Sequence, residues 1–598
     1  MLKSRIELKN GKPCLYVDGQ PTTAMAYTTY FPERNRYQDF IDAGYSIFFV
    51  NISFTSSPIN SYGTGFTPFR IGVFEDYENP DYSGFEEYIR EILRACPDAI
   101  IFPRIYVSMP KWWCNTHPND IYLTDKGALR EAIFSEAFRK DGAEMLVKLV
   151  RHIKNSDYAH RVGGWMLCGG STQEWIYRNY NGDVGKAAQE PYRHWVKKNY
   201  GIDNAVLPRR EEYDYIGKAW QESENAKRYS VFCNLGMAKT LDIFAETIKK
   251  ETNFEQVVGA FYGYTYEVYT ALFGSYALRA IIDSDNLDFY SSPNAYTNAR
   301  AFGMDWADMM PVDSLKNHGK LCFIECDIRT YLTTSVQEAR PGEYPDDIYT
   351  LNGVSVWSGP PTAELSREAL RKSFAHQITK ASAIWWFDMW GGWYDDPLLM
   401  KELNEMKKIY NSDLLSNKSA VLSPDVVFFA DEQGYSNMMT KSPQRESIKI
   451  VRTALGKTGV PYDSCMVEDA DSVLKRYKAA IFPFPLPSDA GRRAMELCEK
   501  MGIPYLATTA DNYELTVDEI REFYKANGIH FYTEEKDVVY VGNGYIALHS
   551  VVAGAKKLHL PRICKLSLIF GTEAFTQIAD CIEFELKENA TALFAISR

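Results

Sequence analysis

Two glutamates in this chain stand where neither a plain core nor a plain surface position accounts for both. Glu174 follows an apolar run and two glycines in "WMLCGGSTQEWIYRNY", with Gln173, Trp175, Tyr177 and Tyr180 around it. Glu325 lies inside the apolar run "KLCFIECDIRTY", flanked by Phe323, Ile324 and Cys326. A carboxyl in such a run is costly to ionise unless partners hold it. Two carboxylates facing each other suit cleavage of a glycosidic bond. One protonates the leaving oxygen, and the other attacks the anomeric carbon or activates water. The two must differ in pKa, and different surroundings can arrange that. Glu174, among aromatic side chains, is expected to be the one kept protonated. Glu325, near arginine or tyrosine donors, is expected to stay ionised. The structural alternatives are a surface glutamate after a glycine turn for Glu174 and a buried ion pair with Arg329 or Arg104 for Glu325.

Other residues are candidates to bind substrate around this pair. Arg104 lies inside an apolar run and needs an acceptor, either Glu325 or another acid. Gln173 precedes Glu174, and Tyr264 lies in "GYTYE". The period of two along "IWWFDMW" puts Trp386, Asp388 and Trp390 on one face. That face is expected to point into the site, with Trp386 as the floor and Asp388 binding hydroxyls. Wall packing should hold at least one of Trp385, Trp386 and Trp390. Glu267, ending "GYTYE", is the competing acid and is expected to bind substrate or cap the next helix. The nine histidines show no metal-ligand spacing, and His318 and His376 read as structural.

Such groups need a scaffold that brings distant segments to one mouth. Eight short apolar runs recur between residues 23 and 390: 23–31, 45–54, 99–108, 162–168, 257–267, 287–292, 320–326 and 381–390. Helix-like segments such as "FEEYIREILRAC" and "SREALRKSFAHQITKA" alternate with them. Strands apolar on both faces belong to a covered parallel sheet. The pattern predicts an α/β protein built on a (β/α)8 barrel over residues 1–415, with a doubly wound sheet as the rival. In a barrel, chemistry sits at the C-terminal ends of the strands, where Glu174 and Glu325 fall in the fourth and seventh runs. The opening "MLKSRIELKNGKPCLYVDG" reads as a β-hairpin turning at Asn10-Gly11. Residues 420–528 predict a small open α/β domain without a Gly-x-Gly-x-x-Gly, a phosphate loop or a nucleophile turn. Residues 529–598 alternate as a small antiparallel β-domain.

Bulk composition narrows the classes further. A chain of 598 residues predicts two to four domains. The net charge of −12 and the lack of a basic run argue against a nucleic-acid partner. No run of about 18 apolar residues suggests a membrane span. The 40 Tyr, 32 Phe and 12 Trp fit a large aromatic core or a site that stacks sugar rings. Eleven scattered cysteines without a Cys-x-x-Cys suggest reduced thiols, a cytoplasmic setting and no zinc site, and the sequence leaves room for a trimmed leader. No cofactor is expected.

On these residues the sequence resembles glycoside hydrolase clan A, and within it the family forty-two β-galactosidases. "TYFPERNRYQDFIDAGYSIFFVNISF" resembles that family's first β/α unit, and "VVGAFYGYTYE" and "IWWFDMWGGWYDDP" resemble its strands five and eight. The resemblance implies the acid/base at the end of strand four, here Glu174, and the nucleophile at the end of strand seven, here Glu325. It implies a tyrosine after strand six that donates to the nucleophile, Tyr296 or its competitor Tyr290. It also implies an amidotransferase-like middle domain without catalytic residues, through which a homotrimer forms. The activity implied is that of a retaining exo-acting β-glycosidase, foremost on β-galactosides. The alternatives are a β-mannosidase or another β-glycosidase on the same frame, and a non-catalytic carbohydrate-binding barrel. Gln173 departs from the clan's asparagine before the acid/base, so its reach to a sugar 2-hydroxyl differs. The zinc cluster of some members is absent.

Overall fold

The computed structural model describes residues 1–57, 67–124, 127–170, 174–176, 183–213, 223–267, 272, 274–296, 300–344, 358–416, 421–440, 442–570 and 575–597. The apolar runs form eight parallel strands: β1 (Met25–Thr28), β2 (Ile47–Ser53), β3 (Ile100–Tyr106), β4 (Gly164–Gly170), β5 (Val257–Ala260), β6 (Phe289–Tyr290), β7 (Leu321–Cys326) and β8 (Ala383–Phe387). Each pairs with the next, and β8 pairs with β1 through Ile384 and Met25, so the sheet closes into a barrel. The doubly wound alternative is excluded by that closure. Between and after the strands run α1 (Tyr37–Asp42), α2 (Ser83–Ala95), α3 (Glu136–Lys154), α4 (Glu224–Glu251), α5 (Leu278–Ile281), α6 (Val312–Asn317), α7 (Ala363–Lys380) and α8 (Pro397–Leu415).

Local sequence explains the main helices. Ser135 caps α3 by accepting from the Phe138 amide, and Met145, Leu146, Leu149, Val150 and Ile153 give it an inward stripe. Thr362 caps α7, whose buried set includes Ser366, Leu370, Ser373, Phe374 and Gln377. That helix is covered on two sides, by the barrel and by the C-terminal sheet. The N-terminal hairpin, Ser4–Lys9 and Lys12–Val17, turns at Asn10-Gly11, both with positive φ. It sits against the starts of the barrel strands, where the Val257 amide donates to Ser4 Oγ.

Aromatic rings fill the barrel. Phe49 packs on Phe102 and Phe323 at 5.1 and 5.2 Å, and Phe289 packs on Phe323 at 5.7 Å. Gly259 makes room for this layer, because a Cβ there would lie 2.2 Å from the Phe289 ring.

A parallel four-stranded sheet follows: β9 (Val426–Ala430), β10 (Tyr462–Met466), β11 (Ala479–Phe482) and β12 (Tyr505–Ala507), in the order β10-β9-β11-β12. The apolar pattern does not reveal β10, since Asp463 and Ser464 interrupt it. Both are engaged by the barrel. Lys380 Nζ sits 2.9 Å from Asp463, and the Ser464 amide donates to Asp313. A five-stranded antiparallel sheet ends the chain: β13 (Val538–Gly542), β14 (Tyr545–His549), β15 (Gly554–Phe570), β16 (Thr576–Leu586) and β17 (Thr591–Ser597), in the order β13-β14-β17-β15-β16.

Glu267, expected to bind substrate or cap the next helix, is directed at the middle domain. It faces Lys449 and Arg452 of the middle domain at 3.5 and 3.6 Å. Among the described residues no helix is long and apolar enough to cross a membrane.

Candidate active site

Alternation along β7 decides where Glu325 points. Phe323 faces the barrel interior, Cys326 turns outward to Ser373 on α7, and Glu325 therefore lies one layer above Phe323. The backbone fixes it from both sides. Glu325 pairs with Trp385 on β8, and its amide donates to the Ser292 carbonyl at 2.9 Å. The side chain is 2 % exposed, and its Oε2 has no hydrogen-bond partner among the described residues.

Glu174 reaches the same mouth by a different device. After β4 the chain returns as a short strand, Glu174–Ile176, pairing alongside Gly169 and Gly170. Gly170 has φ +70°, and a Cβ there would approach the Ile176 carbonyl to 2.7 Å. Trp175 takes φ +51°, a strained conformation for a bulky residue, and its indole donates to the Leu167 carbonyl at 3.1 Å. The two glycines thus let the short strand pack closely and in parallel beside the end of β4, and the tucked indole holds the strand that presents Glu174. Tyr264, just after β5, donates its hydroxyl to Glu174 Oε1 at 3.1 Å. Gln173, Tyr177 and Tyr180 lie outside the described residues.

Arg104 sits under this pair within an aromatic cage. Its guanidinium carbon lies 5.1–5.8 Å from the rings of Tyr30, Phe261, Trp385 and Phe387. It donates to Asn51 Oδ1 at 3.3 Å, and Nε and Nη2 have no hydrogen-bond partner among the described residues. It acts on Glu325 as a nearby charge and not as a direct ion pair. Unpartnered polar atoms concentrated in one buried place mark a functional site more often than a packing core.

Electrostatics bring the candidates together. Burial pushes the Glu325 carboxyl well above its usual range; Asp327 adds to that, Arg104 opposes it, Glu174 adds again and Arg300 opposes. This departs from the expectation of a readily ionised Glu325, because burial and two neighbouring carboxylates outweigh two arginines. The Tyr296 hydroxyl is likewise pushed up by burial, then by Asp327 and Glu325, with Arg300 opposing and Glu174 adding. With the Arg300 guanidinium 4.6 Å from its ring centre and Arg300 in turn on Asp327, Tyr296 belongs to the cluster. Tyr290 does not, since it is directed away and donates to the Ile281 carbonyl.

Two placements correct the sequence expectation. Trp386 faces the helix side of β8, where its indole donates to Tyr45 at 2.9 Å, and does not floor the site. Asp388 is buried in the turn after β8. It accepts from Tyr27 and from the amides of Gly392 and Trp393, each at 2.9 Å, so its carboxylate is engaged within the protein. The period of two was right and its phase was wrong: Trp385 and Phe387 face inward. Trp390 packs on Phe31 at 5.1 Å and on Tyr30 at 6.2 Å, at the edge of the mouth.

Several site residues escaped the sequence reading. Asp327 follows Glu325 by two and is held by Arg300 at 2.5 Å and Arg329 at 2.8 Å. Its spacing from Glu325 was the available signal. Tyr30 and Asn51 carried none, since a tyrosine or asparagine near a strand end is common.

Chemically, the cluster offers two carboxyl groups and one buried arginine, with Tyr264 as donor to Glu174. At the sequence level, no protein-family model and no curated protein matches this chain. At the structural level it is similar to the β-galactosidase from Bacillus circulans sp. alkalophilus, with 12 % identity and a TM-score of 0.64 over 96 % of this chain and 99 % of that one. A GH42 β-galactosidase from G. stearothermophilus gives 10 % identity and 0.63 over 97 % and 99 %. An exo-carrageenase GH42 from Bacteroides ovatus gives 12 % identity and 0.61 over 100 % and 84 %. These likenesses establish the fold: a TIM barrel followed by α/β and β domains, arranged as in those proteins.

Proposed function

We propose that the chain is a retaining, exo-acting β-glycosidase, with Glu325 as nucleophile and Glu174 as acid/base. The single observation that carries this reading is that Glu325 at the end of β7 and Glu174 beside the end of β4 stand on one closed barrel, although 150 residues separate them in sequence. Each comes from the C-terminal end of a barrel strand, where barrel enzymes carry their chemistry. Glu325 attacks the anomeric carbon while Glu174 protonates the departing oxygen. Glu174 then activates water against the glycosyl-enzyme. Arg104 supplies positive charge that favours the ionised nucleophile, and Tyr296 is the donor closest in kind to what that carboxylate needs. Tyr264 orients Glu174. Gln173 is proposed to reach a sugar hydroxyl beside it.

β-Galactosides are the first substrate class, supported by the two galactosidase structures of the same fold. A linkage within a galactan is the second, supported by the exo-carrageenase of the same fold, which this chain matches over its full length. Assembly as a homotrimer through the middle domain is part of the proposal, and light scattering returning a monomer mass would remove it.

A panel of nitrophenyl glycosides, with product anomers followed by NMR, tests the reading. β-Anomer formed first from a β-glycoside supports it, and the α-anomer contradicts it. Glu325→Gln should lower turnover by at least about 10³-fold. Glu174→Ala should slow natural substrates far more than aryl glycosides with good leaving groups, and azide should restore the latter. Unchanged rates for either variant discard the assignment.

A further inference from the structure

The segment 292–296 runs from the Glu325 backbone to Tyr296, and one arginine grips most of it. Ser292 accepts from the Glu325 amide, and Pro293 is the ladder partner of Glu325. Arg300 then closes back on the segment. Its Nη2 donates to the Asn294 carbonyl at 2.7 Å, and its Nε donates to the Ala295 carbonyl at 3.2 Å. Its Nη1 meets Asp327 Oδ1 at 2.5 Å, and its guanidinium carbon lies 4.6 Å from the centre of the Tyr296 ring. Arg300 is 7 % exposed, so these contacts are shielded from water. The planar fork of arginine can serve two carbonyls, a carboxylate and a ring face at once, whereas an ammonium cannot.

The far side of the segment is held as well. Asn294 Nδ2 donates to Asp308 Oδ1 at 3.1 Å, and the Ala295 amide donates to the Ala307 carbonyl at 2.8 Å. Arg452 of the middle domain donates to the Asp308 carbonyl at 2.8 Å. The segment is thus gripped from within the barrel and braced from outside it.

We infer that Arg300 is a positioning residue: by tying the 294–296 segment to Asp327, it sets the placement of Tyr296 against Glu325. This rests on the reading of Glu325 as nucleophile. All three guanidinium nitrogens of Arg300 are engaged within the protein. Its effect passes through Tyr296 and through its own charge near Glu325.

Arg300→Met and Arg300→Lys separate those two routes. Arg300→Met should lower kcat by about 10²-fold with KM little changed, the size expected when a catalytic group is misplaced by about 1 Å. Its acidic limb in kcat/KM should move to higher pH, because a positive charge near the nucleophile is gone. Arg300→Lys keeps the charge and loses the fork, so its limb should stay near the wild-type position while kcat remains low. Equal kcat per folded molecule in wild type and both variants, with only a lower Tm, would overturn the proposal. If Arg300→Met does not fold, Asp327→Asn releases the same tie and should reproduce the loss of kcat. Crystal structures of wild type and Arg300→Lys decide the point without any turnover. A displaced Tyr296 supports the clamp, and a Tyr296 unmoved relative to Glu325 refutes it. Failure of the glycosidase reading shows separately, as turnover that survives Glu325→Gln or as a wild type inert on every glycoside.

Discussion

Glu325 is buried, feels the charge of Glu174 and stands two residues from Asp327, so in the free protein its proton is held more tightly than on an ordinary glutamate. A nucleophile must be ionised. The sign follows directly: with the folded-state pKa raised, the active fraction falls as pH drops through that raised value and grows above it. The acidic limb of kcat/KM should therefore lie above the ordinary value of 4.5. A profile measured from pH 4 to 9 checks this, and a limb at or below the ordinary value would contradict it. Because Glu325 and Glu174 interact, the two limbs belong to the pair and not to either residue alone. Arg104 adds specificity of another kind. Removing its charge while leaving the four-ring cage, as in Arg104→Met, should raise the same limb further and lower kcat/KM by about 10²-fold.

The short return strand Glu174–Ile176 depends on backbone that few residues tolerate. Gly170→Ala adds a Cβ at φ +70° and against the Ile176 carbonyl, so the return strand must move. The conformational part alone costs about 1–2 kcal/mol. The expected outcome is a fall in kcat/KM of at least about 10²-fold with a modest drop in Tm, measured on the same aryl glycoside as wild type. An active Gly170→Ala would show that the turn does not set Glu174. Strands were legible in the sequence because eight apolar runs with flanking helices admit few architectures. The phase of β8 was not legible, since Trp385 and Trp386 are alike in type and only the closed barrel decides which faces inward. Glu325 was legible because a carboxyl amid Phe323, Ile324 and Cys326 is conspicuous. Arg300 was not, because its role depends on contacts to carbonyls that no side-chain pattern encodes.

At the scale of the whole molecule, the middle domain is bound to the barrel by polar groups along their seam. Lys380 lies between Asp313 and Asp463, and His318 lies between Asp283 and Asp469. Glu432 accepts from the Leu278 and Arg279 amides at the start of α5. Burial, followed by the neighbouring Glu468, pushes Glu432 up to about 8, despite those two amides. Glu468 is pushed up to about 7, chiefly by burial. For an acid with a raised folded-state pKa, the folded protein holds a proton that the unfolded chain releases at the ordinary value of 4.5. Stability contributed by the protonated form is therefore complete below about 4.5 and is lost as pH climbs towards about 8. Tm should fall over that window, and Glu432→Gln should flatten the fall. A Tm profile identical in the variant and wild type would remove Glu432 as its source. This seam was hidden from sequence reading because its residues, such as Asp463 in β10, weaken the apolar pattern that marks a strand.

The pairing of Glu174 with Glu325 across one pocket stands or falls on which atom holds the sugar. The 2-deoxy-2-fluoro analogue of a cleaved aryl β-glycoside should inactivate the protein with one label per active site. Peptide mass spectrometry should then locate that label on Glu325. A label on Asp327 or any other residue, or full activity after incubation with the analogue, would contradict the assignment.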